Sequence, residues 1–150
     1  MIAVIQRVAR CAVRIDDREH SSIGRGLLVL LGVGPADGEA DAGALADKIV
    51  NLRIFEDAEG KMNASLLDIG GQLMAVSQFT LCADCRRGRR PSFTNAAPPE
   101  LGERLYDRFV GAVRDKGVAV ATGKFGAKML VEIANDGPVT ITLDTAFSHK

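Results

Sequence analysis

The chain has 150 residues, 47% hydrophobic and 25% charged, which is enough for one ordered domain with a sizeable core. Lysines plus arginines and aspartates plus glutamates number 19 each, so bulk charge argues for no partner, and the absence of tryptophan disfavours an aromatic base-stacking platform. No apolar run approaches a membrane span, and three cysteines behind an N-terminus unlike a secretory signal fit the reducing cytoplasm.

Residues 2–5 and 11–15 read as strands, with Asp16, Asp17, Arg18 and Glu19 as a hairpin turn. Residues 27–31 form a continuous apolar run between Gly26 and Gly32, suited to a strand buried on both faces. After a loop over residues 32–38, Leu45, Ile49 and Leu52 follow helical spacing, with Asp41 as the expected N-cap. Residues 73–77 are a strand, and residues 82–98 a polar, basic loop. Pro99 suits a first helical turn, Leu101, Leu105, Phe109 and Val113 mark the apolar stripe, and Gly117 the stop. Residues 118–121, 129–134 and 139–143 complete the chain as strands. Hairpins separated by two main helices predict an α+β fold, a single domain over residues 1–150 with a largely antiparallel, curved, barrel-like sheet.

Two stretches carry the chemistry. Ser77-Gln78-Phe79-Thr80-Leu81 closes an apolar strand and offers hydroxyls and backbone N–H groups where a reacting carbonyl can be held. Hydroxyls at strand ends also serve structure, and Thr80 as a nucleophile needs a base that the sequence does not supply. Asn135-Asp136-Gly137-Pro138-Val139-Thr140 links two strands and reads as turn chemistry, with Gly137-Pro138 the linkage that has a realistic cis option. Arg86, Arg87, Arg89 and Arg90 crowd five positions, either as a solvated loop or as a grip on nucleic-acid phosphates. The glycines at 32, 34 and 38 have the wrong spacing for a dinucleotide loop, and Lys124 is not followed by Ser or Thr. Cys82 and Cys85 form a lone C-x-x-C, with Cys11, His20 and His149 scattered, so neither a metal nor a redox cofactor is expected.

In order and spacing these blocks closely resemble the D-aminoacyl-tRNA deacylase (D-Tyr-tRNA deacylase) family over nearly the whole chain. The resemblance runs through Ala3-Val4-Ile5-Gln6-Arg7-Val8, residues 26–33, the Ser77–Leu81 block, Arg89-Arg90-Pro91-Ser92-Phe93, Phe125-Gly126-Ala127 with Met129, and the Asn135–Thr140 block. Lys128 is a small departure near the expected pocket, and the intact Ser77 and Phe79 fit the strictly D-selective type rather than a related group that replaces this block.

The resemblance implies a cytoplasmic homodimer that takes the aminoacylated 3′ end of tRNA, needs no cofactor and does not touch a membrane. It places catalysis at Ser77, Gln78, Phe79 and Thr80, substrate binding at Arg7, Phe125, Met129, Gly137 and Pro138, and tRNA binding at the four arginines. Gly137-Pro138 is expected to be cis, fixed by Arg7, and to reach into the partner's pocket, where its carbonyls hold the α-amino group and its backbone excludes an L side chain. Glycyl-tRNA, having no side chain to exclude, is an expected further substrate. Backbone N–H groups around Phe79 and Thr80 would stabilise the oxyanion while water attacks, in preference to an acyl-enzyme on Thr80. The rivals are an editing domain that removes a mischarged L-amino acid and a non-catalytic tRNA-binding module.

Overall fold

The computed structural model describes residues 1–147, so His149 lies outside the described residues. β1 (Ile2–Ile15) runs unbroken through both segments expected as separate strands. The hairpin turn falls at Asp16 and Asp17, whose φ angles of 50° and 61° are left-handed values that aspartate tolerates. β2 (Arg18–Ile23) and β3 (Gly26–Gly32) run in line against β1, with Cys11 opposite Ile23 and Val8 opposite Gly26, and the register shifts by one between Val13 and Arg14 near the turn. They are one antiparallel arm interrupted only at Gly24 and Arg25.

β6 (Gln72–Ser77) runs parallel to β3, and β7 (Val120–Thr122) parallel to β6. A Cβ on Gly26 would sit 1.8 Å from Gln72 O, so only glycine admits this approach. The sheet order is β2-β1-β3-β6-β7, with β8 (Leu130–Asp144) on the other edge of β1. Ser21 Oγ of β2 donates to Thr122 O of β7 at 2.7 Å. The two ends of the path therefore meet, and the sheet curls almost into a barrel. The α+β expectation holds, the sheet being mixed rather than wholly antiparallel.

Alternation along the central strands sends side chains to two cores. Leu27, Val29, Leu31, Leu73 and Ala75 face the helices, while Leu28, Met74 and Val76 join Val8, Cys11 and Val13 inside the barrel. Each large side chain buried this way contributes about 1.5–3 kcal/mol before entropy is counted. β3 is thus buried on both faces, as its unbroken apolar run requires.

α1 (Glu39–Asn51) and α3 (Pro99–Arg114) cover the outer face. Gly38, not Asp41, is the N-cap of α1. Asp41 sits three residues in, and its carboxylate accepts from Gly38 N at 2.8 Å. α3 begins at Pro99, where a missing N–H costs nothing, and buries Leu105, Phe109 and Val113 completely. The short elements β4 (Phe55–Glu56), β5 (Met62–Ala64) and α2 (Leu66–Ile69) were not expected, being below the length at which periodicity shows. No described helix is long and apolar enough to cross a membrane.

β8 departs most from expectation. The two strands expected at 129–134 and 139–143 are one strand with an excursion in its middle. Gln6 pairs with Thr140 and Val8 with Asn135, so residues 136–139 stand opposite Arg7 alone. The Asn135–Thr140 block is a bulge within a ladder and not a hairpin turn.

Candidate active site

Strand β6 is buried from Leu73 to Val76 and surfaces at Ser77. Gln78 N donates to Leu31 O at 2.8 Å, and Leu81 N donates to Gln78 O at 3.2 Å, starting a 3-10 turn, Phe79–Cys82. The turn seats directly on Gly32, where a Cβ would lie 3.0 Å from Leu81 Cβ and 3.1 Å from Gln78 O. The N–H groups of Phe79 and Thr80 open this turn, in positions that have no acceptor within it. Gln78 Nε2 donates to Thr80 Oγ1, so the two side chains act as one unit.

Beside this strand end lies a cleft of about 560 Å³, walled by Ser77, Gln78, Phe79, Phe93, Phe125 and Met129. Smaller apolar residues from the chain after β3 and from the start of α3 complete it, and none of its lining side chains is ionisable. Tyr106 supports the floor. Its hydroxyl donates to Ala75 O at 2.8 Å, its ring lies 6.3 Å from Phe125, and burial pushes its pKa up to about 12. Met129 packs against Gly123, where a Cβ would sit 2.6 Å from the thioether sulfur and oblige that side chain to shift.

The arginine segment springs from the rim. Asp84 and Ser92 exchange backbone hydrogen bonds of 2.8 and 2.9 Å, closing a loop that holds residues 85–91 in solvent. Phe93, just beyond it, meets Phe79 edge-on with centroids 5.1 Å apart, tying the loop to the end of β6. Arg86 is held by Asp84, which forks it at 2.8 and 2.6 Å, and this contact keeps the Asp84 carboxyl below the usual range. Among the described residues no ion pair holds Arg87, Arg89 or Arg90, and all three are exposed.

Gly137 and Pro138 lie apart from their own chain's cleft. Both are exposed, their peptide bond is cis, and Gly137 has a φ of 119°. Arg7 is buried beneath them. Its Nε donates to Asp136 O at 3.2 Å and lies 3.3 Å from the Asp136 carboxylate, while Nη1 donates to Ile54 O at 2.7 Å. A Cβ on Gly137 would meet Arg7 Nη2 at 3.0 Å, so the guanidinium and the glycine pack together.

Of the residues singled out by sequence, Ser77, Gln78, Phe79, Phe125 and Met129 converge on one cleft with Thr80 beside it, while Arg7, Gly137 and Pro138 form a separate cluster. The sequence reading missed Gly102, on whose helical turn Phe125 packs at 3.5 Å from a would-be Cβ, although a glycine on a buried helix face was a usable signal. Cys11 and Cys82 are buried and Cys85 exposed, and among the described residues no cluster of His, Cys, Asp or Glu could hold a metal ion.

Residues 4–144 match the family model described as D-Tyr-tRNA(Tyr) deacylase. The chain is 60% identical over 150 residues to a D-aminoacyl-tRNA deacylase of Roseiflexus sp. (strain RS-1), covering all of this chain and 97% of that one. It is 57% identical over 148 residues to a D-aminoacyl-tRNA deacylase of Clostridioides difficile (strain 630), covering 99% of both. Among solved structures, one described as a c-Myc DNA unwinding element binding protein superposes with a TM-score of 0.90 at 42% identity, covering 96% of this chain and 98% of its own. A probable eukaryotic D-amino acid tRNA deacylase shares the fold, with a TM-score of 0.82 at 19% identity over 95% of this chain and 97% of its own.

Proposed function

Since this chain belongs to the D-Tyr-tRNA(Tyr) deacylase family, we propose that it hydrolyses the ester of D-aminoacyl-tRNA by positioning and backbone dipoles, and spares the L-ester. The chain is a hydrolase of the aminoacyl-tRNA ester. The observation that carries the mechanistic reading is the cleft at the end of β6, which has hydroxyl, amide and aromatic walls and no ionisable side chain.

The aminoacyl ester is already activated, so a modest lowering of the barrier suffices. N–H groups of Phe79 and Thr80 stabilise the developing oxyanion, each such donor being worth about 3 kcal/mol in a site sheltered from water. Water attacks the carbonyl, the electron pair returns as the C–O bond breaks, and the 3′ oxygen of the terminal ribose leaves with a proton. The neighbouring 2′-hydroxyl is the nearest group able to pass that proton. Phe79, Phe93, Phe125 and Met129 offer apolar surface to the terminal adenosine, and Arg87, Arg89 and Arg90 reach for the phosphates behind it.

Chirality is read by Gly137-Pro138. The exposure of this pair and its absence from the wall of its own cleft support the reading that it serves a second copy of the chain in a homodimer. Its carbonyls hold the α-amino group, an L side chain collides with the backbone, and glycine passes. The selection lies in main-chain atoms, so many D side chains are accepted.

The test is hydrolysis of matched D-Tyr-tRNA, L-Tyr-tRNA and Gly-tRNA at catalytic enzyme concentration, with light scattering on the same sample. Rapid loss of the D and glycyl esters by a particle of twice the 15.9 kDa chain mass is the expected result. Cleavage of the L-ester would point to an editing domain, tRNA binding without cleavage to a binding module, and a fully selective monomer would overturn the cross-subunit arrangement.

A further inference from the structure

The excursion of β8 has a neck, and one side chain spans it. Asn135 Nδ2 donates to Val139 O at 3.1 Å, across the two limbs of the loop, and to Arg7 O on β1 at 2.9 Å. Its Oδ1 accepts from Thr140 Oγ1 at 3.5 Å, and that hydroxyl accepts from Gln6 Nε2 at 3.2 Å. Arg7 is the residue at which the β1–β8 ladder skips, so its backbone faces the bulge without a strand partner there. Two carbonyl oxygens converging on one group require two donors. An amide supplies both, while a carboxylate supplies none.

We propose that Asn135 is a positioning residue for stereochemical selection: its amide clips the neck of the 136–139 loop to β1 and thereby sets where Gly137 and Pro138 stand. The proposal rests on the reading of Gly137-Pro138 as the chiral gate. Asn135 and Arg7 act from opposite sides, Asn135 on the neck and the Arg7 guanidinium on the body of the loop at Asp136 and Gly137. Neither touches the cleft where the ester is cleaved. Loss of the clip should therefore alter which substrates are accepted more than how fast an accepted one reacts.

The test compares the full-length parent, Asn135→Asp and Asn135→Ala in steady-state hydrolysis of D-Tyr-tRNA and L-Tyr-tRNA, with thermal melting of each. Asn135→Asp sets carboxylate oxygens against Arg7 O and Val139 O, and Asn135→Ala only removes the clip. The expected result is a fall in D-over-L preference of about tenfold for Asn135→Asp and about fivefold for Asn135→Ala, the scale of one or two lost hydrogen bonds. KM for D-Tyr-tRNA should rise more than kcat falls. An Asn135→Ala protein that melts like the parent and keeps its preference and KM overturns the proposal, and this variant decides the matter if Asn135→Asp does not fold. A parent that fails to prefer the D-ester removes the chiral-gate reading and this inference with it, whereas a selective parent with unaffected variants removes this inference alone.

Discussion

Arg7 Nε lies 3.2 Å from the carbonyl oxygen of Asp136, joining the middle of β1 to the loop that leaves β8 directly opposite. The other arm of the guanidinium donates to Ile54 O at 2.7 Å, so one buried side chain links the sheet, the segment after α1 and the exposed Gly137-Pro138 pair. Arg7→Ala leaves two carbonyl oxygens without this donor and is expected to cost about 2–4 kcal/mol in urea denaturation. Arg7→Lys keeps the charge but loses the planar fork, and should cost about half as much. Both should weaken discrimination between D- and L-Tyr-tRNA. Unchanged selectivity in Arg7→Lys would mean that the loop holds its place without the fork.

The arginine loop predicts a graded salt response. Arg86 is already paired with Asp84, whereas Arg89 and Arg90 are exposed and held by no ion pair among the described residues. Arg89→Ala and Arg90→Ala should each raise KM for D-Tyr-tRNA with little change in kcat. Each should also reduce the slope of log affinity against log salt by roughly 0.7–0.9. Arg86→Ala should act through disorder of the loop instead, and so leave the slope nearer that of the parent. Equal slopes in all variants would remove the loop from the phosphate contacts.

Much of this molecule is legible where periodicity is long and uninterrupted. The apolar run of β3 and the Leu101, Leu105, Phe109, Val113 stripe of α3 each specify an element and its buried face. The alternation of Val139, Ile141 and Leu143 marks a strand correctly but hides its continuity with Leu130, because the bulge at 136–139 breaks the pattern without breaking the ladder. The Ser77–Leu81 block is readable as a strand end, but the aromatic rim of the cleft beside it is not. Phe79 meets Phe93 only after the chain has gone around the arginine loop, and such contacts leave no local trace. Gly123 is equally silent, since what it does is leave room for the Met129 thioether.

Burial of ionisable side chains predicts the alkaline limb of stability. Burial raises Cys11 from 9.0 to about 11 and Tyr106 from 10.0 to about 12, so the fold prefers both neutral. The unfolded chain loses these protons first. The stability they contribute is therefore complete below about pH 9 and disappears as pH rises through about 11 to 12. The urea midpoint should stay level from neutral pH to about 9 and then fall as pH rises through about 11 to 12. Tyr106→Phe should make the fall shallower while costing about 1 kcal/mol at neutral pH, because Ala75 O keeps its second donor, Gly123 N, at 3.1 Å. An alkaline limb unchanged in Tyr106→Phe would show that other groups set it.

Thr80 is the residue on which two mechanisms part. A hydroxyl nucleophile needs a base to take its proton, and the cleft beside Thr80 has no ionisable lining side chain. Its hydroxyl oxygen instead accepts from Gln78 Nε2, which leaves the hydroxyl proton free to donate and lowers the oxygen's readiness to attack. Thr80→Ala should keep hydrolysis of D-Tyr-tRNA within about tenfold of the parent, well short of the loss expected when a covalent nucleophile is removed. Gln78→Ala should fall in the same range, because it disturbs the same pair. Rapid quench of the parent with labelled D-Tyr-tRNA, followed by mass analysis of the peptide spanning residues 77–81, should find no ester on Thr80. An acyl adduct there, or abolition of activity in Thr80→Ala with the fold intact, would replace the water route with a covalent one.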